Sequence, residues 1–228
     1  MLLCEHPDRV EAGAPLGSPK GWTGGLVEVT FTILSVCTGN VCRSPIAEMA
    51  LADALSPIAE VSVESAGVAA LVGAGVPEPA RRIAAEEDID ASHHVARQID
   101  SALIRGADLV LAMARDHRRA IVETVPAAMR RSFTLRELAR VADGIEAQLP
   151  EALANSGATT PEEGMRAAVA LAASLRGTVP PPADPQMFDI IDPYRQSDEV
   201  YRRSFAELLP AAERVAAFLT TAARLASR

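Results

Sequence analysis

A run of β-branched and aromatic residues, Val27, Val29, Phe31, Ile33, Leu34 and Val36, leads into Cys37-Thr38-Gly39-Asn40-Val41-Cys42-Arg43, and a helical pattern opens directly behind it at Ser44-Pro45. No other stretch of the 228 residues constrains the chain as strongly. The run has strand length and is almost continuously apolar, as expected of a strand covered on both faces in a parallel sheet. Pro45 stands in the first turn of the predicted helix, where its missing N–H costs nothing, and Ile46, Met49, Ala50 and Leu55 follow near helical spacing over residues 44–55. A strand that turns into a helix this tightly aims the unpaired N–H groups of the loop and of the first helical turn at one point, which makes an anion site. Gly39 is expected to supply the backbone freedom for the curl, and Asn40 to tolerate a left-handed conformation.

The alternation continues. Val61, Val63 and Ser65, closed by Gly67, read as a second strand, residues 79–87 as a helix, 109–112 as a third strand and 116–125 as a helix. A short fourth strand at 132–134, a helix at 135–141 and a long final helix at 197–225 complete the pattern. This order predicts an α/β fold in three layers, a four-stranded parallel sheet with helices on both faces and the phosphate-binding loop after the first strand. Ligands in such sheets bind beyond the carboxyl ends of the strands, where Cys37 to Arg43 would lie.

Two segments stand outside that pattern. Residues 1–25 are crowded with Gly and Pro and carry Cys4, Lys20 and Trp22 without a hydrophobic period, so a flexible tail is expected, with one domain at 26–228. Residues 143–186 are rich in alanine and unnecessary for the sheet. Thr160, Pro161 and Glu163 provide a helix start with a capping box, and Gly177 with Pro180-Pro181-Pro182 a stop, so a helical insertion on the surface is expected there.

Composition excludes several classes of function. Hydrophobic residues at 49% with 23% charged residues suit a globular core, and a formal net charge of −8 argues against a nucleic-acid partner. No apolar run approaches membrane-spanning length and the first residues do not form a secretory signal, which leads to the expectation of a cytoplasmic protein with no membrane partner. Three cysteines, an odd and sparse set, fit reduced thiols better than disulfides. The adjacent His93 and His94 cannot share a helical face, so no metal is expected, and Gly73-Ala74-Gly75 has Glu78 where a dinucleotide fingerprint needs its third glycine.

Within the cup, loop amides and the guanidinium of Arg43 would stabilise negative charge on the sulfur of Cys37 and make it a nucleophile. Arg43 can hold two phosphoryl oxygens in a bidentate fork, and Ser44 can hydrogen-bond the sulfur. Cys37 to Pro45 resembles the Cys-x5-Arg-Ser signature of the low-molecular-weight protein tyrosine phosphatases, in the bacterial version with a second cysteine before the arginine. Ser65-Ala66-Gly67, His94-Val95-Ala96-Arg97-Gln98 and Asp192-Pro193-Tyr194 resemble three further motifs of that family, in the same order, from about residue 29 to 209 once the insertion is skipped.

The resemblance implies hydrolysis of phosphotyrosine or other aryl phosphate monoesters through a cysteinyl-phosphate, with no cofactor. Its partners would be a phosphotyrosine-containing protein, and phosphate or another oxyanion in the loop. It implies that Asp192 protonates the leaving group and then activates water, that Thr38, Gly39, Asn40, Val41, Cys42, Ser44 and Tyr194 line the substrate site, and that Ser65 and His94 join Asn40 in a supporting network. Arg97 is expected to be structural. Cys42 has two open roles, packing behind the loop or capturing oxidised Cys37 as a disulfide.

This sequence departs from the family at the cleft mouth, where residues 68–76 offer only Leu71 and Val72 as sizeable side chains and Tyr194 is followed by Arg195. Arsenate reductase on the same fold is disfavoured because no cysteine follows Cys42. A non-catalytic anion-binding module is disfavoured by the joint presence of Cys37, Arg43 and Asp192.

Overall fold

The computed structural model describes residues 30–58 and 61–228; Val27, Val29 and the expected 1–25 tail lie outside them. The apolar run forms β1 (Phe31–Cys37), flanked by β2 (Val61–Gly67) and β3 (Leu109–Ala112), with β4 (Ser132–Thr134) beyond β3. All pairings are parallel and the order is β2-β1-β3-β4. Alternation along the strands splits the core. Phe31 and Ile33 share one face with Leu109, Leu111 and Phe133, while Leu34 and Val36 share the other with Val110 and Ala112.

The first face is covered by α1 (Arg43–Leu55), α5 (Leu135–Ile145) and α8 (Asp198–Ala226), which contribute Ile46, Leu51, Leu138, Phe205 and Leu219 to its core. The second is covered by α3 (Ser101–Gly106) and α4 (Arg115–Thr124) through Ile104 and Ile121. The helix α2 (Glu78–Glu86) packs Ala80 and Ile83 into the first cluster. The three-layer α/β architecture is thus the one expected. The α3 helix was not legible in the sequence, because six residues are too few to show a period; it is started by Asp100, whose carboxylate accepts from Ala102 N and Leu103 N at 2.8 Å.

The alanine-rich segment is where the sequence expectation fails. The α5 helix, capped by Thr134 and Glu137 acting reciprocally, runs on to Ile145 instead of stopping near residue 141. Beyond it, α6 (Leu149–Ser156) and α7 (Pro161–Leu175) are not a surface excursion, since Leu149, Leu153, Met165, Ala168, Val169 and Ala172 are all buried. Small side chains let α7 lie close to α8. A Cβ on Gly164 would stand 2.6 Å from the carbonyl oxygen of Ala222. The capping box expected at the start of α7 is also displaced: Thr160 Oγ1 accepts from Glu163 N at 3.4 Å, but the Glu163 carboxylate takes Thr159 N at 2.8 Å.

The segment also ties itself to the sheet by charge. Arg166 donates to Asp108 at 2.9 Å and to Thr30 O at 3.3 Å, at the amino ends of the strands. Arg176, just past α7, lies 4.0 Å from the centroid of the Phe133 ring and donates to Ser132 O at 2.9 Å. Both contacts leave the opposite, carboxyl end of the sheet open.

Candidate active site

At that carboxyl end β1 delivers Cys37, and α1 begins six residues later at Arg43 with Cys42 as an N-cap whose side chain makes no capping bond. The first-turn N–H groups of α1 are therefore left for the loop's contents. The sulfur is held from two sides: Asn40 N donates to Cys37 Sγ at 3.2 Å, and Ser44 Oγ stands 3.0 Å from it. Asn40 Nδ2 donates to Ser44 Oγ at 3.0 Å, and the serine's own proton can go to Cys37 Sγ or to Ala66 O, 3.5 Å away.

The curl that permits this is made by Asn40, at φ 54°, and not by Gly39, which keeps to ordinary φ and could carry a Cβ at van der Waals distance from Val41 and Leu71. The glycine that sterics demand is Gly67, where a Cβ would fall 2.4 Å from Thr38 O and 3.0 Å from Asn40 N. Asn40 is fully buried and every polar atom of its side chain is used. Its Nδ2 also donates to Ser65 Oγ at 2.8 Å, its Oδ1 accepts from Arg97 N at 2.8 Å, and its main-chain O accepts from His94 Nε2 at 2.7 Å. The carbonyl can only accept, so it places a proton on His94 Nε2. Ser65 passes the chain on to Glu48 at 2.5 Å, and Arg97 Nε donates to Ser65 O at 2.7 Å.

Arg43 faces the cup from a side chain only 5% exposed, and Asp192, 50% exposed, accepts from its Nη2 at 2.6 Å. Arg43 Nη1 donates to Ile190 O at 3.1 Å, while its Nε is buried and has no partner. Asp192 Oδ1 accepts from Tyr194 N at 3.1 Å, so the turn after Asp192 holds its second oxygen. Cys37, Thr38, Gly39, Val41, Cys42 and Arg43 line a cleft closed by Ala69, Leu71, Asp192 and Tyr194. One buried cation and one half-exposed carboxyl thus face a sulfur across a small, mostly apolar cleft.

The family model of the low molecular weight phosphotyrosine protein phosphatases matches residues 32–175. The chain belongs to this family. It is 46% identical over 94 residues to the low molecular weight protein-tyrosine-phosphatase Wzb of Escherichia coli K12, a match covering 41% of this chain and 62% of that one. It is 40% identical over 114 residues to a protein-arginine-phosphatase of Geobacillus stearothermophilus, covering 50% and 75%. Among solved structures, Vibrio vulnificus Wzb in complex with benzylphosphonate superposes with a TM-score of 0.56 at 26% identity, covering 82% of this chain and 97% of that one.

Of the residues expected at the substrate site, Cys37, Thr38, Gly39, Val41, Cys42, Arg43, Asp192 and Tyr194 share the cleft, whereas Asn40 and Ser44 do not line it but are buried beneath it, where Ser65 and His94 join Asn40. Asp192 lies beyond the matched residues and comes to Arg43 from 149 positions away. Tyr194 lines the cleft with the Arg195 guanidinium 5.1 Å from its ring centroid. Cys42 packs behind the loop, its Sγ 3.9 Å from Tyr201 Oη, and burial pushes its thiol up to about 12. That favours the packing role at rest, since hardly any of it is thiolate at neutral pH.

Several contributors escaped the sequence reading. His117, on α4, shares a 2.8 Å hydrogen bond with Thr38 Oγ1, and burial, reinforced by the charge of Arg43, pushes it down to about 4. It is a neutral imidazole beneath the loop. No motif marks it, whereas Glu48 could have been found as the i+4 neighbour of Ser44 on the same helix face. Among the described residues no group of three or more His, Cys, Asp or Glu is gathered to hold a metal ion, and no helix is long and apolar enough to cross a membrane.

Proposed function

We propose that the protein hydrolyses aryl phosphate monoesters, phosphotyrosine in proteins above all, through a phosphocysteine intermediate. The observation that carries this is the convergence of Cys37 Sγ, Arg43 and Asp192 on one cleft, with the Asn40 amide donating to the sulfur and the Ser44 hydroxyl 3.0 Å from it.

Arg43 Nε, buried and unpartnered, and Nη2, now on Asp192, form the fork for two phosphoryl oxygens. Binding of the phosphoryl group displaces Asp192 from Nη2 and leaves its carboxyl beside the leaving group. Cys37 sulfur then attacks phosphorus, a P–S bond forms as the P–O bond to the aryl group breaks, and the proton of the Asp192 carboxyl passes to the departing oxygen. In the second half, Asp192 takes a proton from water, the water oxygen bonds to phosphorus, and the P–S bond breaks to release phosphate and restore Cys37. Arg43 and the α1 N-terminus hold the oxygens throughout, where charge accumulates.

The choice of aryl over guanidino substrate rests on the walls. Val41, Ala69, Leu71 and Tyr194 offer apolar and aromatic surface to a ring, whereas a phosphorylated guanidino group has N–H donors for which the lining provides a single carboxylate, Asp192. Benzylphosphonate, bound by the Vibrio relative, likewise carries a phenyl ring beside its phosphorus group. On this reading the catalytic unit is residues 26–228, acting in the cytoplasm without a cofactor, and the 143–186 segment serves its fold.

The purified protein should turn over 4-nitrophenyl phosphate, and Cys37→Ser should not. Equal turnover by both would refute the assignment. A phosphotyrosine peptide should be a better substrate than the matching phosphoarginine peptide, and the reverse order would transfer the chain to the other substrate class.

A further inference from the structure

The stretch Asp189–Asp192 belongs to no helix or strand, yet every main-chain polar group of residues 189–191 has a partner, and all but the Asp189 N–H find it on a distant element. Asp189 N donates to Gln186 O at 2.9 Å and Ile190 N to Met113 O at 2.8 Å. Asp189 O accepts from Arg136 at 3.1 Å, Ile190 O from Arg43 at 3.1 Å, and Ile191 O from Ser204 Oγ at 3.0 Å. The remaining group, Ile191 N, donates to Glu207 Oε2 at 3.0 Å. Of these restraints, Glu207 alone is a side-chain acceptor, and it acts on the residue immediately before the acid.

Glu207 is itself oriented. Its carboxylate lies 3.7 Å from Arg136 Nη1 and 3.1 Å from Arg203 Nε, one turn back on α8, and its side chain is only 18% exposed. Ser204 and Glu207, at i and i+3 on one helix face, therefore grip the two polar groups of the same residue, Ile191. None of these side chains lines the cleft.

We propose that Glu207 is a positioning residue for Asp192: with Arg136 and Arg203 behind it, its carboxylate fixes the Ile191 amide and so the height and direction at which Asp192 enters the cleft. The proposal rests on the phosphatase reading above and extends it to a residue that touches neither substrate nor the reacting atoms. Removing the carboxylate leaves the Ile191 N–H without its acceptor and Arg203 without its partner, while Arg136 keeps its bond to Asp189 O; it frees the acid to drift, and a drift of roughly 1 Å at a catalytic group costs about 100-fold in rate.

The test is a comparison of leaving groups. Phenolate leaves poorly without a proton and 4-nitrophenolate leaves well without one, so loss of a correctly placed acid is felt mainly on phenyl phosphate. For Glu207→Ala, kcat/KM should fall about 100-fold on phenyl phosphate and less than about 10-fold on 4-nitrophenyl phosphate, with competitive inhibition by inorganic phosphate as in the wild type. Glu207→Gln keeps an oxygen for Ile191 N without the charge that its arginines brace; it should show the same skew at about 10-fold, and it decides the matter alone if the alanine variant does not fold. Equal losses on the two substrates, or no loss, would overturn the proposal. Asp192→Asn must show the skew as well; if it does not, the assignment of Asp192 fails, and that failure is distinct from a skew present in Asp192→Asn but missing from both Glu207 variants.

Discussion

At the carboxyl end of the sheet, Asn40, Ser44 and Ser65 bury their polar atoms in one network, Asn40 holds a left-handed backbone, and Arg43 Nε and His117 Nδ1 are buried without partners. At the amino end, α7 closes the strands with Met165, Ala168, Val169 and Ala172, a close crossing at Gly164, and the Arg166–Asp108 pair. The first arrangement costs stability at Arg43 Nε, at His117 Nδ1 and at the left-handed Asn40 backbone, and is kept in shape by its hydrogen-bonded neighbours; the second supplies apolar burial. The alanine-rich segment is thus the counterweight to the loop, and the two ends should respond differently to the same kind of damage.

Cys37→Ser should abolish turnover of 4-nitrophenyl phosphate, a loss of more than about 10⁴-fold, while thermal unfolding stays close to that of the wild type. A variant that kept even a hundredth of the rate would break the account of the loop. Next in size, Gly67→Ala would press a Cβ to 2.4 Å from Thr38 O, and because that atom is main chain of the loop, the loop must move. We expect about 100-fold lower kcat/KM, measured with the same ester.

His117 gives the comparison a pH axis. Its ordinary value is 6.5 and burial takes it to about 4 in the fold, so the unfolded chain binds the proton more readily between these values. The contribution is present in full above pH 6.5 and is lost as pH falls toward 4, to an extent of about 3 kcal/mol. Denaturant melts of wild type and His117→Gln across that window should show the steeper acid decline in the wild type; parallel curves would contradict a neutral buried imidazole.

Gly164→Ala, the counterpart of Gly67→Ala at the other end, puts a Cβ 2.6 Å from Ala222 O and should lower stability by about 2 kcal/mol. Its kcat/KM, measured well below the melting temperature, should be unchanged. If Gly164→Ala impaired turnover as Gly67→Ala does, the separation of the two ends would be lost.

Much of the carboxyl end was legible because its requirements are local: a strand, a cup and a proline-started helix must follow one another in sequence, and Cys37 to Pro45 do so. Asp192 was legible only through the likeness of Asp192-Pro193-Tyr194 to a family motif, since nothing local brings residue 192 to residue 43. The amino end was misread. Alanine at Ala168 and Ala172 is neutral in a periodicity argument, and Gly164 counts against a helix, yet small residues at those positions are what allow α7 to approach α8. His117 and Glu207 were invisible for a third reason, because each acts on the main chain or a hydroxyl of a distant loop and leaves no spacing to read.

The central claim is that phosphorus is transferred to the sulfur of Cys37 and that Asp192 is needed to remove it. Rapid acid quench of the protein during turnover of 4-nitrophenyl phosphate, followed by mass spectrometry of the intact chain and its peptides, reads this directly. One phosphoryl group should be found on the peptide that contains Cys37, accumulating further in Asp192→Asn because water is no longer activated, and absent from Cys37→Ser. Steady turnover with no phosphorylated Cys37 at any quench time, in wild type or Asp192→Asn, would contradict the account.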